Sequence, residues 1–273
     1  QLWEDLKPKQ TRKWEGIDVM KKRFLSILLS LCMIVGMLPV TTLAVEEPAP
    51  SDTVSYTISE DGKTLTFSGS GPIGTDIIKK LWTEKTSEDE SVVNIIEKVV
   101  VGEGITGLSG YSDYSSFLPR NANVNMTIEG AGTFRFAKYS CKDLTVSLTA
   151  ENRTGIEIES SAFEGATLTA FPMEKLTAIG SRGFSNARLP MDGTTLELTL
   201  IGVDNSFDSL YENTHVEAFA FSNSMNADGD YFTSVDITVS GNIAMGAYRY
   251  SGANIFGNQI TSAIFHLAED TNF

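Results

Sequence analysis

Hydrophobic and polar residues alternate in several short stretches of the chain, which is the pattern of half-buried β-strands. The clearest stretches are residues 124–128, 144–148, 196–200 and 235–239. In each of them every second residue is apolar, and the residues between are Thr, Ser, Asn, Asp or Glu. Residues 99–101, 168–171 and 264–267 are less regular candidates with weaker alternation. The chain is therefore predicted to be mainly β.

An Asp61-Gly62 dipeptide separates two shorter alternating runs, residues 54–58 and 65–67. Such a dipeptide between alternating runs is a signal for a β-hairpin. Residues 77–82 could add one helical turn or more, and a polar, acidic loop follows. We therefore predict an N-terminal hairpin module, acting as a cap, over residues 54–95.

The centres of the predicted strands after the hairpin are mostly separated by more than twenty residues. This spacing exceeds the roughly 8–12 residues typical of a β-sandwich. It is consistent with one strand per coil of a solenoid, with return segments of variable length. We therefore predict an irregular solenoid with a parallel sheet over residues 96–273. Its open face would carry the polar members of the alternating stretches, which are Asn125, Thr127, Thr145, Ser147, Glu197, Thr199, Asp236 and Thr238.

Two segments between predicted strands match each other position by position. They begin at Ile158 and Ile179, and in each a Phe follows five residues later, at Phe163 and Phe184. An apolar pair at this spacing would be buried under the next coil. Two less similar segments carry a Phe at a comparable position, at Phe219 and Phe256.

These two segments resemble the BspA-type leucine-rich repeat, whose units read roughly I-x-x-x-A-F-x-x-C/A. Residues 97–108 resemble the strand of that family and the step that follows it. The hairpin and residues 68–71 are similar to a module that often precedes such repeats. The resemblance extends over roughly residues 54–270 and is closest over 156–187. It implies a leucine-rich-repeat fold and a surface-exposed or secreted bacterial protein that takes part in adhesion or binds host proteins.

The N-terminal region has the three parts of a secretory signal peptide over residues 20–44. A basic start, Met20 to Arg23, precedes an apolar run, and Thr42 and Ala44 supply the small residues of a cleavage site. The apolar run of about 17–20 residues could also span a bilayer as an uncleaved anchor. The small residues and the Pro/Glu-rich linker over 45–53 favour cleavage after Ala44. Residues 1–19 would then lie upstream of the true start, and we expect the repeat region to be truncated.

The balance of charge excludes some partners. The chain has 35 acidic and 21 basic residues, for a formal net charge of −14. Nucleic acids and anionic membranes would be repelled by such a chain. We therefore expect neither nucleic-acid binding nor membrane insertion after cleavage of the signal. Removal of the signal also leaves Cys141 as a lone thiol, which is expected to be a buried small hydrophobe rather than a reactive group.

Three motifs could suggest cofactor or metal chemistry, and none has the required context. Gly69 to Gly74 match G-x-G-x-x-G with Asp89 further on, but Pro72 removes an amide donor and the preceding strand belongs to a hairpin. A glycine-rich turn is the preferred interpretation. Asn226 to Asp230 begin like a calcium loop, yet Tyr231 and Ile237 occupy the positions of the required Gly and Glu, which leaves a solvated turn. His215 and His266 are far apart in the sequence and have no ligand-like neighbours.

No residue is assigned a catalytic, cofactor-binding or metal-binding role, because no nucleophile motif or distinctive pair of carboxylates is present. The chain is predicted not to be an enzyme and to use no cofactor. We expect a non-catalytic binding or adhesion scaffold for an extracellular protein or glycan. The alternative is a carbohydrate-binding or accessory module of a larger secreted enzyme, which would need aromatic side chains on an exposed face. Candidates for that role are Tyr111, Tyr114, Tyr248 and Tyr250.

Overall fold

The structure, a computed structural model, describes residues 54–87, 89–112, 114–201, 216–217, 219–240 and 255–267. All of these residues belong to one compact unit, Pro50–Phe273. The predicted signal peptide, the residues upstream of it and the predicted linker lie outside the described residues, as do His215, Tyr248 and Tyr250.

Most regular structure in the described part of the chain is β-strand. The single α-helix there is α1 (Thr75–Thr83), and 3₁₀ turns occur at Val92–Asn94 and Met173–Lys175. The strands are β1 (Ser55–Ile58), β2 (Thr64–Ser68), β3 (Gly71–Ile73), β4 (Lys98–Val101), β5 (Ile105–Leu108), β6 (Asn123–Ile128), β7 (Thr133–Phe136), β8 (Thr145–Thr149), β9 (Gly155–Ile158), β10 (Thr167–Ala170), β11 (Leu176–Ile179), β12 (Thr195–Ile201), β13 (Ser234–Ser240) and β14 (Ser262–Leu267).

Strands β2 to β11 alternate between two sheets along the chain. One sheet has the order β1-β2-β4-β6-β8-β10, and the other has the order β11-β9-β7-β5-β3. A third sheet has the order β12-β13-β14. Apart from the β1–β2 pair, all neighbouring strands are parallel. The prediction of a mainly β chain with parallel sheet is confirmed.

The expectation of one strand for each return of the chain was wrong. A second, short strand follows each of β2, β4, β6, β8 and β10 after a tight connection, and these second strands form the five-stranded sheet. Ile158 and Ile179, which were expected at the start of return segments, are the last residues of β9 and β11. These second strands have three or four residues, and no alternating run was identified at their positions.

The predicted hairpin is present and is part of the six-stranded sheet. In its register Tyr56 pairs with Phe67, and the Gly62 amide donates to the Ser59 carbonyl over 2.9 Å at a positive φ of 73°. Beyond the hairpin β2 pairs in parallel with β4, so the sheet runs without interruption across residue 95. Helix α1, which was predicted over 77–82, packs Ile78 and Leu81 into the core.

The apolar members of the alternating strands form one core cluster that includes side chains of all three sheets. Within it, four phenylalanine rings stack in a row, with centroid separations of 5.6, 5.3 and 5.9 Å between Phe163, Phe184, Phe221 and Phe256. Phe219, which was expected in this row, is instead exposed at a positive φ of 60°. Phe221 takes its place because Val216, five residues earlier, forms a bridge with Ile179.

Candidate functional site

The polar residues predicted for an open face all lie outside the core, but they do not share one face. Asn125, Thr127, Thr145 and Ser147 belong to the six-stranded sheet. Glu197, Thr199, Asp236 and Thr238 belong to the three-stranded sheet. The prediction of a single continuous open face was therefore wrong, because alternation along a strand defines its sides but not the sheet that the strand joins.

The outer side of the three-stranded sheet forms a cleft with a volume of about 730 Å³. We call it the acidic cleft. The parallel register of the strands sets its floor. Glu197 on β12 lies beside Asp236 on β13. Thr199 on β12 lies beside Thr238 on β13, which in turn lies beside His266 on β14. Its walls come from two connections, the 3₁₀ turn after β10 and the segment before β12. The lining residues are Met173, Glu174, Met191, Asp192, Thr195, Glu197, Leu198, Thr199, Asp236, Thr238 and His266.

Four carboxylates dominate the charge of the acidic cleft: Glu174, Asp192, Glu197 and Asp236. The one group there that can carry positive charge is His266, whose Nε2 lies 2.9 Å from Oδ1 of Asp236. Glu197 and Asp236 are direct neighbours on strands that lie about 4.8 Å apart, an arrangement in which like charges repel. A cation brought to this surface would relieve that repulsion, so the cleft is electrostatically complementary to positively charged groups.

A second cleft of about 690 Å³ lies against α1 and the loop after β5. We call it the tyrosine cleft, because Tyr114 stands at its edge with 78% of its surface exposed. The Tyr114 ring packs on Tyr139 with centroids 5.5 Å apart. Two ion pairs cross the cleft floor, from Arg120 to Asp143 at 3.3 Å and from Lys142 to Glu164 at 3.2 Å. The remaining lining residues are Trp82, Ser115, Ser116, Leu118, Gly165 and Asn186.

The other described tyrosine candidate, Tyr111, does not present a free ring. It is half-buried and packs on Trp82 with centroids 4.6 Å apart. The Trp82 indole N–H donates to the Phe117 carbonyl over 2.9 Å. Of the four tyrosines considered for stacking on a ligand, Tyr114 is therefore the one that the described residues present to solvent.

The first two glycines of the G-x-G-x-x-G match lie against Gly104, which follows β4. A Cβ on Gly104 would lie 2.2 Å from the Gly69 carbonyl oxygen, and the Gly71 amide donates to the Gly104 carbonyl over 3.0 Å. Backbone approach this close requires that Gly104 carries no side chain. The interpretation of the whole motif as a turn needs one correction, since Gly71–Ile73 is strand β3.

The remaining motif residues have structural partners. Asn226 is buried, its Oδ1 accepts from the Asp230 amide at 2.8 Å, and its Nδ2 donates to the Gly193 carbonyl at 2.8 Å. The segment is a turn, as predicted, but Asn226 is buried in it and not solvated. Cys141 is fully buried, and burial raises the pKa of its thiol, so that the uncharged form is favoured. Among the residues that the structure describes, no group of three His, Cys, Asp or Glu side chains is arranged to hold a metal ion.

Comparisons with known proteins leave the geometry as the main guide to function. No family model, no curated protein and no solved structure matches the chain. None of the described helices is long and apolar enough to cross a membrane.

Proposed function

We propose that the chain is an exported, non-catalytic binding protein whose acidic cleft recognises an extracellular protein or glycan. The observation that carries this proposal is the cleft itself, whose floor is built from outward-facing polar side chains of parallel strands and whose walls add two methionines. Such a surface offers hydrogen-bond acceptors, negative charge and apolar contact together, which suits recognition of a partner carrying Lys or Arg.

The proposal includes a leucine-rich-repeat solenoid of the BspA type with two strands in each coil. Parallel neighbours in the six-stranded sheet support it, since residues 22 apart pair across β6 and β8 and across β8 and β10. The row of four stacked rings supports it as well, because stacked equivalent side chains arise when successive coils are superimposed.

Export is supported by the order of charges, apolar residues and small residues in 20–44. The chain, expressed in an exporting bacterial host, is expected to appear in the medium or on the cell surface. N-terminal sequencing of the recovered protein should begin at Val45, the residue after the predicted cut. Recovery of the uncut chain from the membrane fraction would contradict export by a cleaved signal.

Binding is tested with a pair of substitutions on the two outer faces. Thr199→Arg places a large cation in the acidic cleft, whereas Thr145→Arg makes the same change on the six-stranded sheet. Wild type and both variants would be passed over immobilised extracellular-matrix proteins and mucin glycans in surface plasmon resonance. We expect a bound partner to be lost with Thr199→Arg, kept with Thr145→Arg, and weakened by salt because surface charges are screened. Equal binding by all three proteins would refute the role of the cleft.

The tyrosine cleft favours a second candidate function, carbohydrate binding as an accessory module. An exposed aromatic face next to carboxylate, amide and guanidinium groups can pack on a sugar ring and bond its hydroxyls. Electrophoresis through gels that contain soluble β-glucan, xylan or mucin would reveal binding as retardation. Tyr114→Ala should abolish the retardation, and Tyr231→Ala, at another exposed tyrosine, should not. Free migration of the wild type in every gel would reject this candidate.

A further inference from the structure

A smaller cleft lies beside the tyrosine cleft, at the loop after β5. Its volume is about 310 Å³, and we call it the lysine cleft because Lys79 of α1 and Lys138, which follows β7, both line it. Ser112 lines the lysine cleft and Ser115 lines the tyrosine cleft, and these two serines are partners in an antiparallel bridge. The two clefts therefore flank the same short bridge, and all of their lining residues fall within 75–186. The other lining residues of the lysine cleft are Thr75, Ser109, Gly110, Ala137 and Glu159.

The lysine cleft carries positive charge that no carboxylate in the described part of the chain balances. Neither Lys79 nor Lys138 forms an ion pair with a described carboxylate. Glu159, the acidic residue of the lining, is already paired with Arg135 Nη2 over 2.5 Å, and it accepts from the Lys138 backbone amide over 2.8 Å. Both cations of the tyrosine cleft, in contrast, are paired with carboxylates. A chain with a formal net charge of −14 thus presents a local cationic site, which attracts anionic groups.

Two tyrosine rings connect this cationic site with the tyrosine cleft. The Tyr139 ring packs on the exposed Tyr114 ring with centroids 5.5 Å apart, and Lys138 Nζ lies 5.2 Å from the centre of the Tyr139 ring. The Tyr114 ring and the Lys138 ammonium group are therefore within reach of one short oligosaccharide. Ser109 and Ser112 add hydroxyl groups to the lining of the lysine cleft, and these can bond the hydroxyls of a sugar.

We propose that the two clefts together bind an acidic glycan, with one sugar ring packed on Tyr114 and a carboxylate or sulfate group of a neighbouring sugar at Lys79 and Lys138. This proposal rests on the second candidate function, carbohydrate binding at the tyrosine cleft, and adds the class of sugar. An exposed aromatic face suits the apolar side of a sugar ring, and a lysine ammonium group suits an anion as a compact charge with three donors. A neutral glycan would leave both ammonium groups without a partner. An acidic peptide would supply the anions without the hydroxyls that the serines can bond.

Affinity electrophoresis with matched polymers tests the class of ligand. Native gels would contain polygalacturonate or its fully methyl-esterified form, and dextran sulfate or dextran, so that each acidic polymer has a neutral counterpart with the same backbone. Polyglutamate, which carries carboxylates but no sugar, is the control for charge alone. The mobility of the wild-type chain should fall with polygalacturonate, with dextran sulfate or with both, and should not fall with the neutral polymers or polyglutamate. The two acidic polymers distinguish a carboxylate from a sulfate as the anion that is bound.

Substitutions in the two clefts test which residues are responsible. Lys79→Gln and Lys138→Gln should each weaken the apparent Kd for the acidic polymer by about fivefold, because each removes one exposed charge contact. Lys98→Gln is the matched control, since Lys98 is an exposed lysine on β4 that forms no ion pair with a described carboxylate. Tyr114→Ala should abolish the retardation, because it removes the surface on which the sugar ring packs.

The possible results separate this proposal from the function on which it rests. Equal retardation by acidic and neutral polymers would overturn the preference for acidic sugars and leave carbohydrate binding in place. Free migration of the wild-type chain in every gel would overturn both. Retardation by polyglutamate as strong as that by the acidic glycans would overturn the proposal, because charge alone would then account for binding. An equal loss with Lys98→Gln and with Lys138→Gln would overturn it for the same reason.

Discussion

Replacement of Arg153 by Met is predicted to destabilise the fold strongly, because this arginine joins three separate turns from inside. Arg153 is 3% exposed and lies between β8 and β9. Its Nη1 donates to the Ala131 carbonyl over 2.9 Å, and its Nη2 donates to the Ile105 carbonyl over 2.7 Å and to the Glu103 carbonyl over 3.4 Å. The guanidinium carbon lies 5.4 Å from the centre of the Phe134 ring.

The size of the effect follows from these contacts. Two of the hydrogen bonds are short, and a hydrogen bond that involves a charged group is worth about 1.5–3 kcal/mol. Methionine would fill much of the volume of the arginine side chain and would remove the cost of burying its charge. Among the described residues, no carboxylate lies within ion-pair distance of Arg153 to balance that charge. Burial accordingly lowers the pKa of Arg153. The carbonyls left without a donor outweigh this relief, and we expect a net loss of about 3 kcal/mol in the free energy of unfolding.

Urea denaturation followed by circular dichroism measures this free energy by linear extrapolation. The matched control is Arg135→Met, which makes the same change at a residue that is 60% exposed and paired with Glu159 at the surface. Such a pair contributes at most about 1 kcal/mol. The loss in the free energy of unfolding with Arg153→Lys should lie between the losses with Arg153→Met and Arg135→Met. A lysine ammonium group keeps the charge but cannot reproduce the forked hydrogen bonding of the guanidinium. A loss with Arg153→Met no larger than that with Arg135→Met would refute the reasoning.

Two further predictions concern the interior. Phe184→Ala should lower the free energy of unfolding by about 3–5 kcal/mol, because the ring is fully buried between Phe163 and Phe221. The control is Phe219→Ala, at a ring that is 36% exposed, which should lower the same free energy by less than about 1 kcal/mol in the same urea titration. In a chain with Cys32 replaced by Ser, Cys141 should not react with a thiol reagent at pH 8 until urea unfolds the protein. Burial raises the pKa of the folded thiol above that of the unfolded thiol, so the free energy of unfolding should fall as the pH rises above about 8.5. Cys141→Ala should remove that fall.

The strands of five or more residues could be predicted from the sequence because their alternation is long enough to stand out. Residues 124–128 and 235–239 fall within β6 and β13, and their apolar members are buried as expected. The strands of the five-stranded sheet were missed for a physical reason. Each has three or four residues, and β3 and β5 contain Pro or Gly, which disfavour strands. Their pairing is set by the strands beside them more than by local preference.

The acidic cleft could be anticipated only in part. Glu197, Thr199, Asp236 and Thr238 were expected on an open face, since alternation shows which side chains leave the core. Glu174 and Asp192 lie in connections outside that alternation, and nothing in their local sequence places them beside Asp236. The packing of the 3₁₀ turn at Met173–Lys175 against β12 brings Glu174 there, and Asp192 lies in the segment that leads into β12. His266 was expected to be an ordinary histidine, and its contact with Asp236 follows from the pairing of β13 and β14.

The contacts that stabilise the fold and the surfaces proposed for binding lie on opposite sides of the same strands. Arg153 and the phenylalanine row join neighbouring turns or strands from the interior. Outward side chains such as Thr199 are exposed and take no part in the core cluster, so their replacement leaves those contacts in place. A loss of binding with Thr199→Arg can therefore be interpreted as an effect on the surface, provided that the urea midpoint is unchanged. The same separation allows the outer side of a strand to change its specificity while its inner side keeps the residues that stacking requires.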